Sequence, residues 1–317
     1  MNEDFHPRPC RWPPPAFWPR ALWRASVLLL TWLLISSGAQ AQTAEALRAK
    51  YATLESALRQ NQFGRPLTLD SSESSSGARG EIHALVNYPF AVVSAALNNP
   101  EHWCDVMLLH INTKYCHAQI AANGTQLRMY LGKKTPEPLS AASRLDFRYN
   151  ALAANAGYLA ITLNAPQGPM GTSDYRILLE AVAPVNGSGK TFLHLSYSYA
   201  TNFSGRLAML VYLKTVGNGK VGFSSNGKPG SGNNSNNDKM NYIAGIRGLV
   251  ERNTMRYYLA IDSFLEAGSA VPAAQFDARL QSWFTAVERY PLQLHEMDRE
   301  TYIAMKHDEN LRQQTLQ

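Results

Sequence analysis

The sequence predicts an α+β fold in which an antiparallel sheet of about seven strands packs on a long C-terminal helix. Short segments of alternating or continuous apolar character follow one another between residues 80 and 201, separated only by short turns, which is typical of antiparallel strands. Residues 242–266 carry apolar side chains at three- and four-residue steps, which predicts the longest helix of the chain. A hydrophobic fraction of 45% provides enough apolar side chains for a substantial core.

The N-terminus carries a targeting pattern. Arg20 and Arg24 precede an apolar stretch at residues 25–35, and Ala39 and Ala41 supply the small residues of a cleavage site. This order predicts a Sec-type signal peptide over residues 1–41, cleaved after Ala41. An uncleaved membrane anchor is the alternative, although the apolar run is short for a span. We therefore expect an exported, soluble protein, most simply in a bacterial periplasm.

The first elements follow from periodicity. Residues 43–62 place four apolar side chains on one stripe and predict a helix, followed by a polar loop through residue 79. Alternation over residues 81–88 predicts the first strand, and Pro89 then begins a short helix that we expect to end near Pro100.

Six further strand-like segments complete the predicted sheet: 105–115, 125–132, 143–150, 158–165, 173–182 and 190–199. Residues 205–217 fit either a short helix or a bent strand. Residues 224–238 contain no large apolar side chain and predict a flexible surface loop. After the long helix at 242–266 we predict two more helices, at 275–290 and from 292 to about 312.

Two cysteines remain once Cys10 is removed with the signal segment. Cys104 and Cys116 are an even pair in an oxidising compartment, which favours a disulfide. Nearby histidines (His102, His110 and His117) keep a metal site as the alternative, but their spacing matches no zinc finger or ribbon. We expect no metal and no other cofactor.

Residues 185–191 end in Gly-Lys-Thr, as a phosphate-binding loop does. That loop requires a glycine at position 184, which is Pro184 here, and a helix after it, whereas residues 190–199 alternate as a strand. Asn186, Gly187 and Gly189 instead suit a hairpin turn. We expect no nucleotide binding.

The order of elements resembles that of the START/Bet v 1-like superfamily, also called SRPBCC or helix-grip. The resemblance is carried by residues 80–106, where Pro89 and Phe90 follow the first strand and Trp103 comes next, and by the helix at 242–266. It covers residues 80–266 and implies a curved sheet that grips the helix, with a cavity for an apolar ligand between them. The exported location, the two cysteines, the polar loop and the helices after residue 270 depart from the superfamily pattern. We expect an exported, proteobacterial-type member, in which residues 42–79 precede this START-like domain and 267–317 form a helical extension.

The ligand site implied by this resemblance lies between the sheet and the long helix. Asn253 interrupts the apolar face of that helix with Arg256 at its margin, and either a ligand head group or an internal hydrogen bond can satisfy the amide. On the last strand, Tyr197 and Tyr199 share the face that we assign to the cavity. The residues that we expect to contact the ligand are Trp103, Tyr130, Tyr175, Tyr197, Tyr199, Leu249, Asn253, Arg256 and Tyr257.

Catalytic patterns are weak. The sequence contains neither a Gly-x-Ser-x-Gly elbow nor a His-Glu-x-x-His zinc motif, and we assign no catalytic residue. The chain carries a net charge of +6, and its first 41 residues contain four basic and two acidic side chains, which leaves +4. That charge is too small and dispersed for a nucleic-acid partner.

We therefore expect a carrier or binding protein for a lipid, hopanoid, quinone or aromatic molecule, with transient contact at a membrane surface left open. The alternatives are an enzyme of cyclase or hydrolase type that uses the same cavity, and a non-catalytic interaction protein of the envelope.

Overall fold

The computed structural model describes residues 43–185, 189–215, 217–225 and 242–316. The strands are β1 (Leu67–Ser74), β2 (Gly77–Val86), β3 (Thr113–Ala121), β4 (Gly124–Leu131), β5 (Ser143–Asn155), β6 (Tyr158–Gln167), β7 (Thr172–Val182) and β8 (Thr191–Thr201). The helices are α1 (Ala44–Arg59), α2 (Phe90–Leu97), α3 (Pro100–Leu109), α4 (Phe203–Lys214), α5 (Gly245–Ala267), α6 (Gln275–Val287), α7 (Pro291–Leu294) and α8 (Arg299–Thr315).

The strands form one antiparallel curved sheet in the order β1-β2-β8-β7-β6-β5-β4-β3. Every pair of neighbours except β2 and β8 is also consecutive along the chain. The predicted α+β fold, with its antiparallel sheet and long C-terminal helix, is confirmed. Residues 186–188 of the predicted turn lie outside the described residues, but Gly189 has a φ of 66°, as that turn requires, and the strands on either side are antiparallel neighbours.

The long helix α5 packs on the inner face of the sheet against β1, β2 and β8. Contact is closest at Gly80 of β2, where a Cβ atom would lie 2.2 Å from the hydroxyl oxygen of Thr254. Glu251, which is fully buried in α5, accepts hydrogen bonds from the Ser71 hydroxyl at 2.5 Å and from the Phe223 amide at 2.6 Å. One buried carboxylate thus fastens both β1 and the segment before the helix to α5.

Two predictions near the N-terminal half are wrong. The polar residues 70–79 belong to the hairpin of β1 and β2 rather than to a loop, because serines and glycines leave the room that α5 needs at this edge. The predicted short helix does end near Pro100, since α2 stops at Leu97, but the strand predicted from residue 105 is wrong because Pro100 begins a second helix. The Asn99 side chain accepts a hydrogen bond from the Glu101 amide and caps this helix, α3. Residues 105–109 are therefore helical, and β3 begins only at Thr113.

The remaining elements differ from prediction mainly at their ends. The segment of uncertain type is the helix α4, which Asn202 caps, and the predicted last helix is divided into α7 and α8. Most of the predicted polar loop lies outside the described residues, as does the predicted signal segment. No helix in the described parts of the chain combines the length and apolar character that a membrane crossing needs.

Both ends of the described chain cover parts of the sheet. On the outer face, α1 buries Leu47 and Leu58 against Tyr158, Ala160 and Phe192. At the β3 edge, α8 inserts Glu309 between two fully buried lysines, Lys114 at 2.9 Å and Lys306 at 2.7 Å. The predicted disulfide between Cys104 of α3 and Cys116 of β3 is present, as expected for a protein of an oxidising compartment.

Candidate functional site

Four tyrosines form a continuous aromatic layer between the sheet and α5. Tyr175 of β7 lies against Tyr197 and Tyr199 of β8, and Tyr197 contacts Tyr257 of α5, with ring centroids 5.3–6.2 Å apart. Alternation along β8 turns both of its tyrosines to the inner face. The rings occupy most of this space, yet each keeps 4–8% of its surface accessible. Four of the predicted ligand-contacting residues therefore lie together.

A polar path leads from this layer to the C-terminal helices. The Asn253 side chain lies near the Tyr197 hydroxyl, whose pKa it lowers against the larger effect of burial, and accepts a hydrogen bond from Arg256 at 3.4 Å. The guanidinium of Arg256 donates in turn to Glu296 at 2.6 Å. The predicted amide is thus satisfied internally, and the predicted arginine is held in an ion pair, while both remain beside the aromatic layer.

Glu296 is the carboxylate of a half-buried basic cluster. Lys134 lies 2.6 Å from it and Lys220 lies 3.6 Å from it, in addition to Arg256. Burial lowers the pKa of Lys134 to about 8, and the neighbouring arginine adds to this effect. Burial alone would raise the pKa of Glu296, but the surrounding cations outweigh it and lower the pKa. The cluster therefore carries excess positive charge at the end of the polar path that lies farther from the tyrosines.

Two buried polar atoms, one on the residue that stacks on Tyr257 and one on Arg256, lack internal partners. The ring of His110 stacks on Tyr257 at a centroid distance of 4.9 Å, and the His110 Nε2 atom is buried without a hydrogen bond to any described residue. The Nε atom of Arg256 is in the same condition. Burial lowers the pKa of His110 well below its usual value, with a smaller contribution from Arg256, so its imidazole is neutral near pH 7. Buried polar atoms are normally satisfied, and this group therefore stands out as a place for an additional molecule.

Helix α4 covers the other end of the aromatic layer. The Tyr199 hydroxyl donates to the Met209 sulfur at 3.5 Å, a weak contact. Leu249, one turn before Asn253 on α5, is half-buried beside the core. The opposite face of α4 exposes Phe203, of which 85% is accessible, with Leu207 and Val211 beyond it. This helix is thus apolar both toward the core and toward solvent.

Two predicted ligand residues lie elsewhere. Tyr130 alternates with the buried Met129 on β4 and therefore points to the outer face, where it meets Tyr115 with centroids 5.9 Å apart. Trp103 is buried on α3, and its indole donates to the Leu97 carbonyl at 2.8 Å. No ring contact joins either side chain to the four tyrosines within the described residues.

The outer face carries a second group of buried titratable side chains that the sequence did not indicate. His194 Nδ1 lies 2.7 Å from a Glu180 oxygen, and the second Glu180 oxygen accepts a hydrogen bond from Tyr158. His83 stacks on His194 with a centroid distance of 4.5 Å. The sequence could not reveal this group, because Glu180 and His194 lie on different strands and meet only through the pairing of β7 with β8.

The pKa values of these two histidines are shifted in opposite directions. Burial lowers the pKa of His83 to about 3, assisted by repulsion from His194, and neither of its ring nitrogens has a hydrogen-bond partner among the described residues. Burial also opposes the charged form of His194, but the hydrogen bond to Glu180 and the nearby Glu81 carboxylate, 3.7 Å from Nε2, outweigh it and raise the pKa. No group of three potential metal-binding side chains occurs in the described part of the chain.

No protein-family model and no curated protein sequence matches the chain. Among solved structures, the chain is similar to Ara h 8.0201, with 10% identity and a TM-score of 0.34 over 63% of this chain and 99% of that protein. A point mutant of norcoclaurine synthase from Thalictrum flavum, in complex with a transition-state analogue, has 14% identity and a TM-score of 0.31 over 46% and 89% of the two chains. The Zhui aromatase/cyclase from Streptomyces sp. R1128 has 11% identity and a TM-score of 0.29 over 70% and 96%.

Proposed function

We propose that this protein binds an amphipathic or aromatic small molecule between the sheet and α5, as a carrier in the periplasm. The observation that carries the proposal is the group of polar atoms beside Tyr257. His110 Nε2 and Arg256 Nε are buried without partners, and no hydrogen bond joins the Tyr257 hydroxyl to a described residue. A ligand with a polar head group would satisfy these atoms, and its apolar part would lie on the tyrosine rings.

Binding requires some rearrangement, because the four rings occupy most of the space. Helix α4 is the element that can move at the least cost, since the Tyr199–Met209 contact is weak and one face of the helix is already exposed. Displacing α4 would uncover Tyr199 first and then Tyr197, whereas Tyr257 and Asn253 would remain fixed on α5.

The membrane contact that we proposed from the sequence suits the exposed face of α4. Phe203, Leu207, Leu210 and Val211 are all exposed there, and Lys214 follows them on the same side. Apolar residues with a flanking cation are typical of helices that lie on an anionic lipid surface. Such a contact would bring the moving element and the ligand source together.

The first test is the identity of the bound molecule. The full chain, exported and purified without detergent, is analysed by native mass spectrometry and its extract by liquid chromatography. We expect a stoichiometric small molecule. A ligand-free protein that also fails to bind an amphipathic fluorescent probe such as 8-anilinonaphthalene sulfonate contradicts the proposal.

The second test uses Tyr257→Phe, which removes the hydroxyl and keeps the ring. One hydrogen bond is worth about 1 kcal/mol, so we expect about fivefold weaker binding of the recovered ligand. Tyr130→Phe on the outer face is the matched control and should bind normally. Equal affinities for all three proteins would exclude the Tyr257 end of the layer as the head-group site.

The membrane contact is tested separately by cosedimentation with vesicles of phosphatidylethanolamine and phosphatidylglycerol. The double substitution of Phe203 and Leu207 by serine should abolish vesicle binding. Ile120→Ser, at an exposed apolar residue of the β3 edge, should not. If both variants sediment with vesicles as the original protein does, α4 is not the contact.

Catalysis at the same place is the second candidate, favoured by the neutral His110 ring beside Tyr257. A neutral imidazole next to a hydroxyl can exchange a proton with a bound substrate. The recovered ligand would then differ from the molecule supplied, which the same chromatography detects. An unchanged ligand after prolonged incubation supports the carrier function instead.

A further inference from the structure

We propose that the outer face of the sheet carries a second binding site, distinct from the aromatic layer, for an acidic and hydroxyl-rich small molecule such as a sugar acid or a sugar phosphate. The site is a concavity of about 730 Å³ that spans β4, β5, β6 and β7. Its volume lies within the range of small-molecule sites. It is independent of the function proposed above.

The strand register places complementary side chains in one row across this concavity. Gln126 of β4 is opposite Arg148 of β5, Arg148 is opposite Asn164 of β6, and Asn164 is opposite Arg176 of β7. Neighbouring strands are separated by about 4.8 Å, so the two arginines lie about 9.5 Å apart with an amide between them. The row therefore alternates guanidinium and amide groups along a single line.

The charges in the concavity leave at least one cation available. Arg144 holds Asp146 through two hydrogen bonds of 2.9 and 3.0 Å, and this pair neutralises itself. Arg148 is exposed, and no hydrogen bond or ion pair joins it to a described residue. A guanidinium binds a carboxylate or a phosphate through two parallel hydrogen bonds. We therefore assign the acidic group of the ligand to Arg148.

The amides in the row match the remainder of such a ligand. Gln126 offers both donors and an acceptor, while Asn164, whose amide nitrogen donates to the Thr162 hydroxyl at 3.2 Å, keeps one donor and its acceptor for neighbouring sugar hydroxyls. Asp174, at the rim of the concavity, adds a carboxylate acceptor for a hydroxyl. An inorganic anion alone would leave these groups unused.

Two of the residues that line the concavity, Asp174 and Arg176, lie at an irregularity of the backbone. The register between β7 and β8 shifts between Ser173 and Arg176, which is a β-bulge. Asp174 has φ 50°, a conformation that residues other than glycine rarely adopt. Such strain persists where the surrounding structure requires it and is concentrated at ligand sites. This observation is independent of the charges and points to the same place.

The experiment is calorimetric titration of the full chain with glucuronate, with glucose 6-phosphate, with glucose and with inorganic phosphate. We expect at least one of the two acidic sugars to bind at least tenfold more tightly than both glucose and inorganic phosphate, and the difference between the acidic sugars identifies whether a carboxylate or a phosphate is preferred. The proposal is overturned if neither acidic sugar binds more tightly than glucose and inorganic phosphate do.

Substitutions locate the binding. Arg148→Gln should weaken the acidic sugar about tenfold, the order of magnitude for losing a charge-assisted pair. Arg59→Gln removes the same charge from an exposed pair on α1 and should have no effect. Equal losses in both variants would mean that net charge alone is responsible, which refutes the site. Tyr257→Phe should leave this binding unchanged, so failure here and failure of the carrier function are distinguishable.

Discussion

Replacing His83 by phenylalanine should make the protein more resistant to mild acid. The pKa of His83 is about 3, whereas the usual value is 6.5. At pH values between about 3 and 6.5, the histidine is protonated in the unfolded chain but not in the folded chain. The free energy of unfolding therefore falls as the pH drops below 6.5. Phenylalanine keeps a flat ring between His194 and Phe192, the two rings on which His83 stacks, but it cannot take up the proton.

The size of this loss in the free energy of unfolding follows from the pH interval over which the unfolded chain takes up the proton. One pKa unit corresponds to about 1.4 kcal/mol, so from the usual value of 6.5 to about pH 5 the original protein loses about 2 kcal/mol that His83→Phe does not lose. The charged groups that act on His83 are Lys50, Glu81 and His194. Since the pKa of His194 is raised, its own contribution is present below pH 6.5 and is lost as the pH rises through the folded-state value. It is common to both proteins and cancels in the comparison.

The assay is urea unfolding of both proteins at about pH 7.5 and about pH 5, with the difference in the free energy of unfolding compared between them. Removing two buried nitrogens without partners should also leave the variant at least as stable at the higher pH. Parallel pH dependences for the two proteins would refute the assignment of a buried, neutral His83.

Three further outcomes are expected. Replacing both Cys104 and Cys116 by serine should lower the free energy of unfolding by about 3 kcal/mol, and reduction of the original protein should reproduce this loss in urea titrations. Glu296→Gln leaves the buried Arg256 without its carboxylate and should cost about 3 kcal/mol, whereas a loss under about 1 kcal/mol in thermal unfolding would contradict a buried ion pair. Glu309→Gln should release α8 from the sheet edge, seen as faster amide exchange in that helix alone, with the exposed Glu300→Gln as the unaffected control.

Periodicity within one segment predicted most of the fold. The alternation along β8 was enough to assign Tyr197 and Tyr199 to the inner face, and the stripe at residues 242–266 identified α5 almost to its ends. The errors occurred where a helix cap or a tertiary contact determines the secondary structure of a segment. Asn99 turned Pro100 into a helix start, and the polar β1 became a strand because α5 and β2 lie beside it.

The candidate site was predictable only in part, for the same reason. The sequence identified the tyrosines and Asn253, since each is defined by its position within its own element. It could not identify His110 and Glu296, because the first reaches Tyr257 and the second reaches Arg256 only through the packing of separate segments. The alternation of Tyr130 with the apolar Leu127 and Met129 already opposed its assignment to the ligand, whereas the position of Trp103 depends on the helix α3, which the sequence did not predict.

The single non-consecutive pairing in the sheet has a consequence for how the chain folds. Strands β3 to β8 follow one another as hairpins and can assemble locally, whereas β2 must wait for β8, which begins only at Thr191. Joining strands so distant along the chain requires closing a long loop before any contact compensates for the lost entropy. We therefore expect the pairing of β2 with β8 to form late in the folding of the sheet and to limit the folding rate. Substitutions in these two strands should then slow refolding more than equally destabilising substitutions in the β5–β6 hairpin. Until this pairing forms, both strands present unpaired edges, and the folding chain is then most exposed to pairing with another copy of itself.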